Sequence, residues 1–452
     1  MQSPPLGNLS GVLRNRPFLF LWIAQALSQT ALNATVYTLL VQVQRDTGSS
    51  TALGLLILSF ILPSVAIGVP AGVFVDRWRK KRVLVVTNVL RAGIVACFAL
   101  VGLDFYLILA LNLAYSVVSQ FFAPAEVAAI PVLVPKDQLI VANGLFNITM
   151  SGAQLMGFVI IGPILIKSFG GPSVYISLAA VYLLCSGLIW FVKLAEPELK
   201  KSTLEFKRGW VRPVADDLHE GWRLLAGSNG VSISILHLIL MNSLVLIIGM
   251  LAPGYVSRVL GIGADDSVFI MAPAGFGMLA GIAGLPRLAA RWAKEAIANF
   301  GILATGSVLL LLGLVGQLGI LPRGDGEVLL FGRFAAPEQT GPVLVVMGLA
   351  FLLGVGYSLV NVAAQTLVQE RTPLDLQGRI FAAQFAFSNT AAIIPLLFLG
   401  SLADLVGVSE VTIFGAIGLL VAGGFSVAHT RRLSVIPLPG DSIVKRSGAD
   451  RV

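Results

Sequence analysis

Gly72-Val73-Phe74-Val75-Asp76-Arg77-Trp78-Arg79-Lys80-Lys81-Arg82 places one acid and five basic residues within seven positions. Apolar runs flank it, 51–75 before and 83–103 after. Charge this dense between two such runs reads as a tight loop at a membrane surface. The excess of Lys and Arg assigns that surface to the cytoplasm.

The composition outside the loop agrees. Of 452 residues, 56% are hydrophobic and 12% are charged, and the mean hydropathy is +0.88. A soluble domain carries about a quarter charged residues, so the solvent for this chain is lipid. The net charge of +8 does not indicate nucleic acid, because the bases cluster in short loops between apolar segments. Cys97 and Cys185 both lie inside apolar runs and read as small buried residues, not disulfide or metal partners. The first apolar run is too long for a signal-peptide core and reads as a retained span.

A spanning helix takes about 20 mostly apolar residues. Twelve runs qualify: 17–43, 51–75, 83–103, 105–127, 140–166, 172–193, 230–256, 267–290, 296–321, 341–365, 376–402 and 408–429. The fourth can continue towards Leu133, since Pro124 and Pro131 bend a packed span without abolishing it. Twelve spans put both termini on one side. With that side cytoplasmic, 26 Lys and Arg residues fall inside. Five fall outside: Arg45, Lys167, Arg258, Arg323 and Arg333.

The expected fold is therefore all-α and integral to the membrane, with twelve transmembrane helices. Four regions follow: an N-terminal six-helix half over 1–193, a cytoplasmic middle loop over 194–229, a C-terminal six-helix half over 230–430, and a cytoplasmic tail over 431–452. In the middle loop Trp210, Val214, Leu218, Trp222 and Leu225 recur at helical spacing. They read equally as an amphipathic interfacial helix or as a loop helix packed on the protein. The halves echo each other. Pro135 and Asp137 match Pro373 and Asp375, and Arg77-Trp78 matches Arg291-Trp292 more weakly. The unequal offsets place an insertion between spans 9 and 10. Halves repeated in parallel about an axis normal to the membrane are a transporter architecture.

On these features the chain resembles the major facilitator superfamily, and within it the drug and siderophore exporters of the macrolide-efflux and enterobactin-exporter type. Four stretches carry the resemblance. Asn15-Arg16-Pro17-Phe18 leads into Leu21-Trp22 as the family's lead-in to span 1 does. Gly72–Arg82 looks like the signature loop Gly-x-x-x-Asp-Arg-x-x-Arg-Lys, with Lys80-Lys81 as its last pair. The third runs from Phe122-Ala123-Pro124-Ala125 to Ala142-Asn143, and the fourth from Pro373 to Ala382. The resemblance implies that Gly72, Asp76 and Arg77 gate the two halves. Lys80, Lys81 and Arg82 read mainly as orienting charges. Three departures count against proton-coupled antiport. Span 4 has no arginine, span 1 has no acid, and span 5 reads Gly157-Phe158-Val159-Ile160-Ile161-Gly162 where many antiporters have Gly-Pro-x-x-Gly-Gly.

The residues give further expectations. Gly72 permits close helix approach, and Asp76 can accept hydrogen bonds at a neighbouring helix N-terminus. Arg91 and Glu126 sit at similar depths in spans 3 and 4. Buried intramembrane charges seek partners, so they are expected to pair, as a clamp or in ion coupling. Gln25, Asn33, Gln154, Asn242, Asn361 and Gln384 are the expected lining of a midplane cavity, with interhelical hydrogen bonding as the alternative for each. His237 reads more readily as a packing residue than as a proton carrier. The chain has no Gly-Lys dipeptide and hence no phosphate-binding loop for ATP. It also lacks metal-ligand spacing, and no enzyme activity, cofactor or metal is expected.

The sequence thus predicts a secondary transporter of the inner (plasma) membrane, both termini cytoplasmic, exporting an amphipathic organic molecule. The expected partners are the lipid bilayer, a small-molecule substrate and, as a coupling ion to be tested, protons. No nucleic acid is expected, and the protein is read as a monomer. The alternatives are a lipid or lysolipid transporter and, from another class, a membrane receptor or scaffold.

Overall fold

The computed structural model describes residues 9–100, 104–135, 138–194, 229–317, 337–372 and 374–435. Among them every regular element is a helix. A short helix, Leu9–Arg14, precedes twelve long ones, named here in chain order. The first six are α1 (Arg16–Thr47), α2 (Ser50–Asp76), α3 (Lys80–Phe98), α4 (Phe105–Leu133), α5 and α6 (Gly171–Phe191). The α5 helix consists of Leu139–Leu155, a π-helical stretch Met156–Ile161, and Gly162–Phe169. The second six are α7 (Asn229–Arg258), α8 (Val268–Ala289), α9 (Lys294–Gln317), α10 (Pro337–Arg371), α11 (Leu374–Val406) and α12 (Val408–Val435). Each expected span is matched by one helix. The middle loop, most of the expected insertion and the tail beyond Val435 lie outside the described residues.

Over the described residues, nine of these helices, all but α1, α3 and α8, are long and apolar enough to cross a membrane. The polar count of α1, which holds Gln25, Ser28, Gln29, Thr30, Asn33, Thr35 and Thr38, keeps it below that measure. So do the basic start and Arg91 of the short α3. Their neighbours satisfy the polar groups within the bundle, where lipid could not.

Local chemistry sets the helix ends. Asn15 caps α1, its side chain accepting from Phe18 N–H at 3.4 Å, with Pro17 in the first turn. Asn15 Nδ2 also donates to Leu133 O at 2.7 Å, tying the start of α1 to the end of α4. The helix stops at Gly48, in the left-handed region at φ 59°, where the absence of Cβ removes the penalty. Ser49 then caps α2, and Asp104 caps α4 through the N–H groups of Tyr106 and Leu107. The fourth helix runs through Pro124 and Pro131 to Leu133, as the sequence allowed.

The helices pack as two sixes. Within the first, α2 lies on α4, α3 on α6 and α4, and α1 on α6; within the second, α8 lies on α10 and α9 on α12 and α10. The sixes meet chiefly where α2 runs beside α11, with smaller contacts of α7 on α2 and of the π stretch of α5 on α8. Arg77-Trp78 and Arg291-Trp292 both occupy the turn after the second helix of their six. That shared position supports the weaker of the two repeat signals.

Candidate functional site

A cavity of about 480 Å³ lies between the two sixes. Its wall is mostly aliphatic, from Leu39 and Ile57 on one side to Leu244 and Met278 on the other. Polar groups enter it from Asn33, Asn112, Gln154, Tyr357, Ser358 and Asn361. A smaller space of about 120 Å³ adjoins it and shares Tyr357 and Asn361. Its remaining lining is Leu238, Asn242, Gln365 and Gln384. Volumes in this range suit small organic ligands.

Of the six residues expected to line a cavity, Asn33 and Gln154 border the larger space, Asn242 and Gln384 the smaller, and Asn361 both. Gln25 borders neither. It is buried, and its Nε2 donates to Phe146 O at 3.4 Å on α5. Beside it Trp22 Nε1 donates to Thr149 Oγ1 at 2.8 Å. Gln25 sits on the α5-facing side of α1, so it ties helices together and does not line the cavity. The residues that sequence reasoning missed are Asn112, Tyr357 and Ser358. A tyrosine and a serine in an apolar run carry no signal of which side of the helix they occupy.

The altered span 5 motif has a structural counterpart. Its glycines bracket the π stretch and press on α1: a Cβ at Gly157 would stand 2.4 Å from Thr30 O, and one at Gly162 would stand 2.8 Å from the Tyr37 ring. The wider π turn occurs at this contact, and Phe158 and Val159 from the same stretch line the cavity.

The two ends of the inter-half seam differ. The face carrying Gly72–Arg82 is called here the basic-loop face. At the opposite face the halves are bonded. Asp404, near the end of α11, accepts from Ser49 Oγ at 2.6 Å, Ser50 N–H at 2.7 Å, Thr51 N–H at 2.9 Å and Thr51 Oγ1 at 2.7 Å. A carboxylate thereby satisfies the free N–H groups that open α2, a charge placement the helix dipole favours. Arg258, at the end of α7, pairs with Asp404 at 3.0 Å and also reaches Gly48 O. Lys167 at the end of α5 pairs with Asp266, just before α8. Tyr37 and Ser267 approach to 3.3 Å, and Gln44 donates to Ser257 at 3.3 Å. The α2–α11 backbones also close here, with a Cβ at Gly54 placed 2.7 Å from Leu396 O.

Asp404, Arg258, Lys167 and Asp266 were not singled out from the sequence. A signal was present: Lys167 and Arg258 are two of the five bases on the side where the positive-inside rule disfavours them.

At the basic-loop face, Arg77 closes α2 with its N–H on Phe74 O at 3.1 Å, and its side chain is exposed. Trp78 stacks on Phe121 of α4, ring centroids 6.2 Å apart. Lys81 Nζ lies 5.6 Å over the Trp190 ring of α6, and Lys80 opens α3. No heavy atom lies within 4 Å of a Cβ built on Gly72. Among the described residues, then, no close helix approach is recorded at Gly72, whereas one is recorded at Gly54 on the same helix. The Asp76 side chain lies outside the described residues, as do Asp137, Pro373 and the Asp375 side chain. Nearby, Lys294 pairs with Glu370 and Arg371 with Glu295, lashing α9 to α10 within the second half.

Arg91 and Glu126, the expected pair, form no direct ion pair or hydrogen bond among the described residues. Both side chains are buried. Arg91 Nε donates to Ser119 Oγ at 3.0 Å and Nη1 to Ser28 Oγ at 3.2 Å, and the guanidinium lies 4.3 Å over the Phe122 ring. Glu126 Oε1 has no hydrogen-bond partner. The register explains this. Ser119 is seven residues from Glu126, about 10 Å along α4 at 1.5 Å per residue. The guanidinium thus bonds at the level of Ser119 and Phe122, the latter one turn of α4 before Glu126. His237 is buried as the packing reading expected, with Nε2 unpartnered.

Comparison with known proteins agrees with this architecture. The sequence profile of the Major Facilitator Superfamily matches residues 21–395. The MFS-type transporter YfiS of Bacillus subtilis is 25% identical over 399 residues, covering 85% of this chain and 87% of that one. The MFS-type transporter Rv0037c of Mycobacterium tuberculosis is 24% identical over 385 residues, covering 82% and 80%. Among solved structures, the nucleoside transporter NupG superposes with a TM-score of 0.68 at 12% identity, over 92% of this chain and 99% of that one. A bacterial homologue of the human lysosomal transporter Spinster, in an inward-facing and unoccupied conformation, gives 0.66 at 13% identity, over 94% and 99%. Similarity this low in sequence carries the fold and no substrate. The fold, the paired sixes, the central cavity and the profile agree: the chain is a membrane transporter protein that belongs to the major facilitator superfamily.

Proposed function

We propose that this protein is a secondary transporter of the plasma membrane that works by alternating access and exports an amphipathic organic molecule of the drug or siderophore-like kind. The observation that carries the reading is a mostly aliphatic cavity between two six-helix halves that are bonded together beyond it at the Asp404 face. With the basic-loop face and both termini in the cytoplasm, that arrangement is the cytoplasm-facing state. The halves are 1–193 and 230–430, joined by 194–229, and one copy of the chain suffices for transport. Gly72, Asp76 and Arg77 form the gate that closes when the Asp404 end opens. Likeness to the macrolide-efflux and enterobactin-exporter type supports the direction.

Energy comes from an ion gradient, with protons the first ion to test. Glu126 is the buried carboxylate available for coupling. The aliphatic wall also favours a second reading, a lipid or lysolipid substrate whose chains fill the larger cavity. The test is substrate-dependent flux in proteoliposomes with and without a proton gradient. Flux that rises with the gradient is the expected result. Flux indifferent to the gradient removes proton antiport. An absence of flux for drugs, siderophores and lipids alike removes transport and leaves a receptor or scaffold.

A further inference from the structure

From the amide-lined space beside the cavity we infer that the substrate's head is uncharged and that its hydrogen-bond acceptor is held by Asn242. This rests on the reading of the central cavity as the transport site. The smaller space is lined by four carboxamides, Asn242, Asn361, Gln365 and Gln384, and by the Tyr357 hydroxyl. No charged side chain lines either space among the described residues.

The hydrogen bonds in the wall define what is left for a ligand. Asn361 Nδ2 donates to Tyr357 Oη at 3.0 Å, which frees the tyrosine proton to point elsewhere. Gln384 Nε2 donates to Ser388 Oγ at 3.0 Å, which leaves its carbonyl oxygen available. Asn242 Nδ2 is buried and has no partner. A buried donor without an acceptor is costly to leave unmade, and a ligand acceptor such as an amide, ester or ketone oxygen would satisfy it. The neighbouring carbonyl oxygens accept in turn from an amide N–H or hydroxyl on the same head.

A charged head is disfavoured there. An ammonium or sulfonate would leave water for a site with no counter-charge, and burying an unpaired charge is far more costly than burying a hydrogen-bonded dipole. The apolar body of the molecule then lies in the larger cavity, which Tyr357 and Asn361 border in common with the head site.

The test uses the full chain in lipid nanodiscs and three amphiphiles with the same tail: N-octylacetamide, octyltrimethylammonium and octanesulfonate. Binding is measured by calorimetry with empty nanodiscs subtracted. The acetamide is expected to bind at least tenfold more tightly than either charged probe. Asn242→Leu should weaken acetamide binding about tenfold with an unchanged melting temperature. Asn242→Asp should reverse the preference towards the ammonium. Gln365→Leu, at an exposed position, provides a variant with little folding risk and should weaken the acetamide two- to fivefold. Equal or tighter binding of a charged probe to the unaltered chain would overturn the inference, as would unchanged acetamide binding in both leucine variants. Selective acetamide binding without flux in proteoliposomes would support the head assignment and overturn the transport reading.

Discussion

The two ends of α2 carry glycines in opposite surroundings. Gly54 is wedged against the backbone of α11, so near that a Cβ would stand 2.7 Å from Leu396 O. Gly72, five turns further along the same helix at about 3.6 residues per turn, has nothing within 4 Å of its Cβ position among the described residues. The charges follow the same division. Asp404 fastens α11 and, through Arg258, α7 onto the start of α2. At the far end Trp78 lies against Phe74 and stacks on Phe121, and Lys81 lies over Trp190, all within their own half. Under the alternating-access reading proposed above, close contact at the Gly54 end makes this end of the α2–α11 seam the one that must open. The glycines let the backbones meet, and the polar groups hold the position reached.

The largest expected effect comes from wedging the closed end. Gly54→Val forces atoms into backbone that is already in contact, and overpacking of this kind costs about 1–3 kcal/mol. The population should move by one to two decades towards the state open at the opposite face. Spin labels at Thr47 and Leu405 should report a longer distance, and an unchanged distance would mean that closure is not set at this glycine.

Next is Asp404→Ala, which leaves Arg258 and the first N–H groups of α2 without their acceptor. Hydrogen bonds to a charged group contribute about 1.5–3 kcal/mol. A shift of about tenfold is expected between the same labels, with Arg258→Ala giving a smaller shift in the same direction. If Asp404→Ala leaves the label distances alone, the carboxylate is only a cap and not a latch.

A weaker effect is expected at the second ion pair. Lys167 is partly exposed, and pairs in such positions contribute about 0–1 kcal/mol. Lys167→Ala should move the equilibrium no more than about fivefold, and less in high salt because exposed charges are screened. A shift insensitive to salt would contradict an electrostatic role.

The smallest effect in this state belongs to Gly72→Ala. The site has room, so the melting temperature should be unchanged, with a stability difference within about 0.5 kcal/mol. Proteoliposome flux should nevertheless fall, because the added methyl obstructs closure at the basic-loop end. Normal flux in Gly72→Ala would release this glycine from the gate.

The sequence made much of this legible. Twelve apolar runs announced twelve helices, since each must satisfy its backbone internally in lipid. Asn15 and Pro17 marked the start of α1, and the bend of α4 through Pro124 and Pro131 was foreseen because packed spans tolerate proline. Their positions inside apolar runs placed Gln25, Asn33, Gln154, Asn242, Asn361 and Gln384 at membrane depth, but depth did not tell cavity side from helix contact, and Gln25 makes a helix contact. Arg91 and Glu126 were matched by depth alone. Their actual separation depends on how α3 and α4 are staggered, which depends on packing.

By itself the chain determined its solvent, its number of helices, its repeated halves and the family of machine they build. Those properties follow from hydropathy, length and local charge, each of which is written residue by residue. Only the tertiary structure decided which end of the seam is closed, that Asp404 caps a helix 354 positions away in sequence at Ser50, and that Asn242 keeps an unpaired donor beside the cavity. These depend on contacts between segments distant in sequence, which no local stretch of the chain specifies.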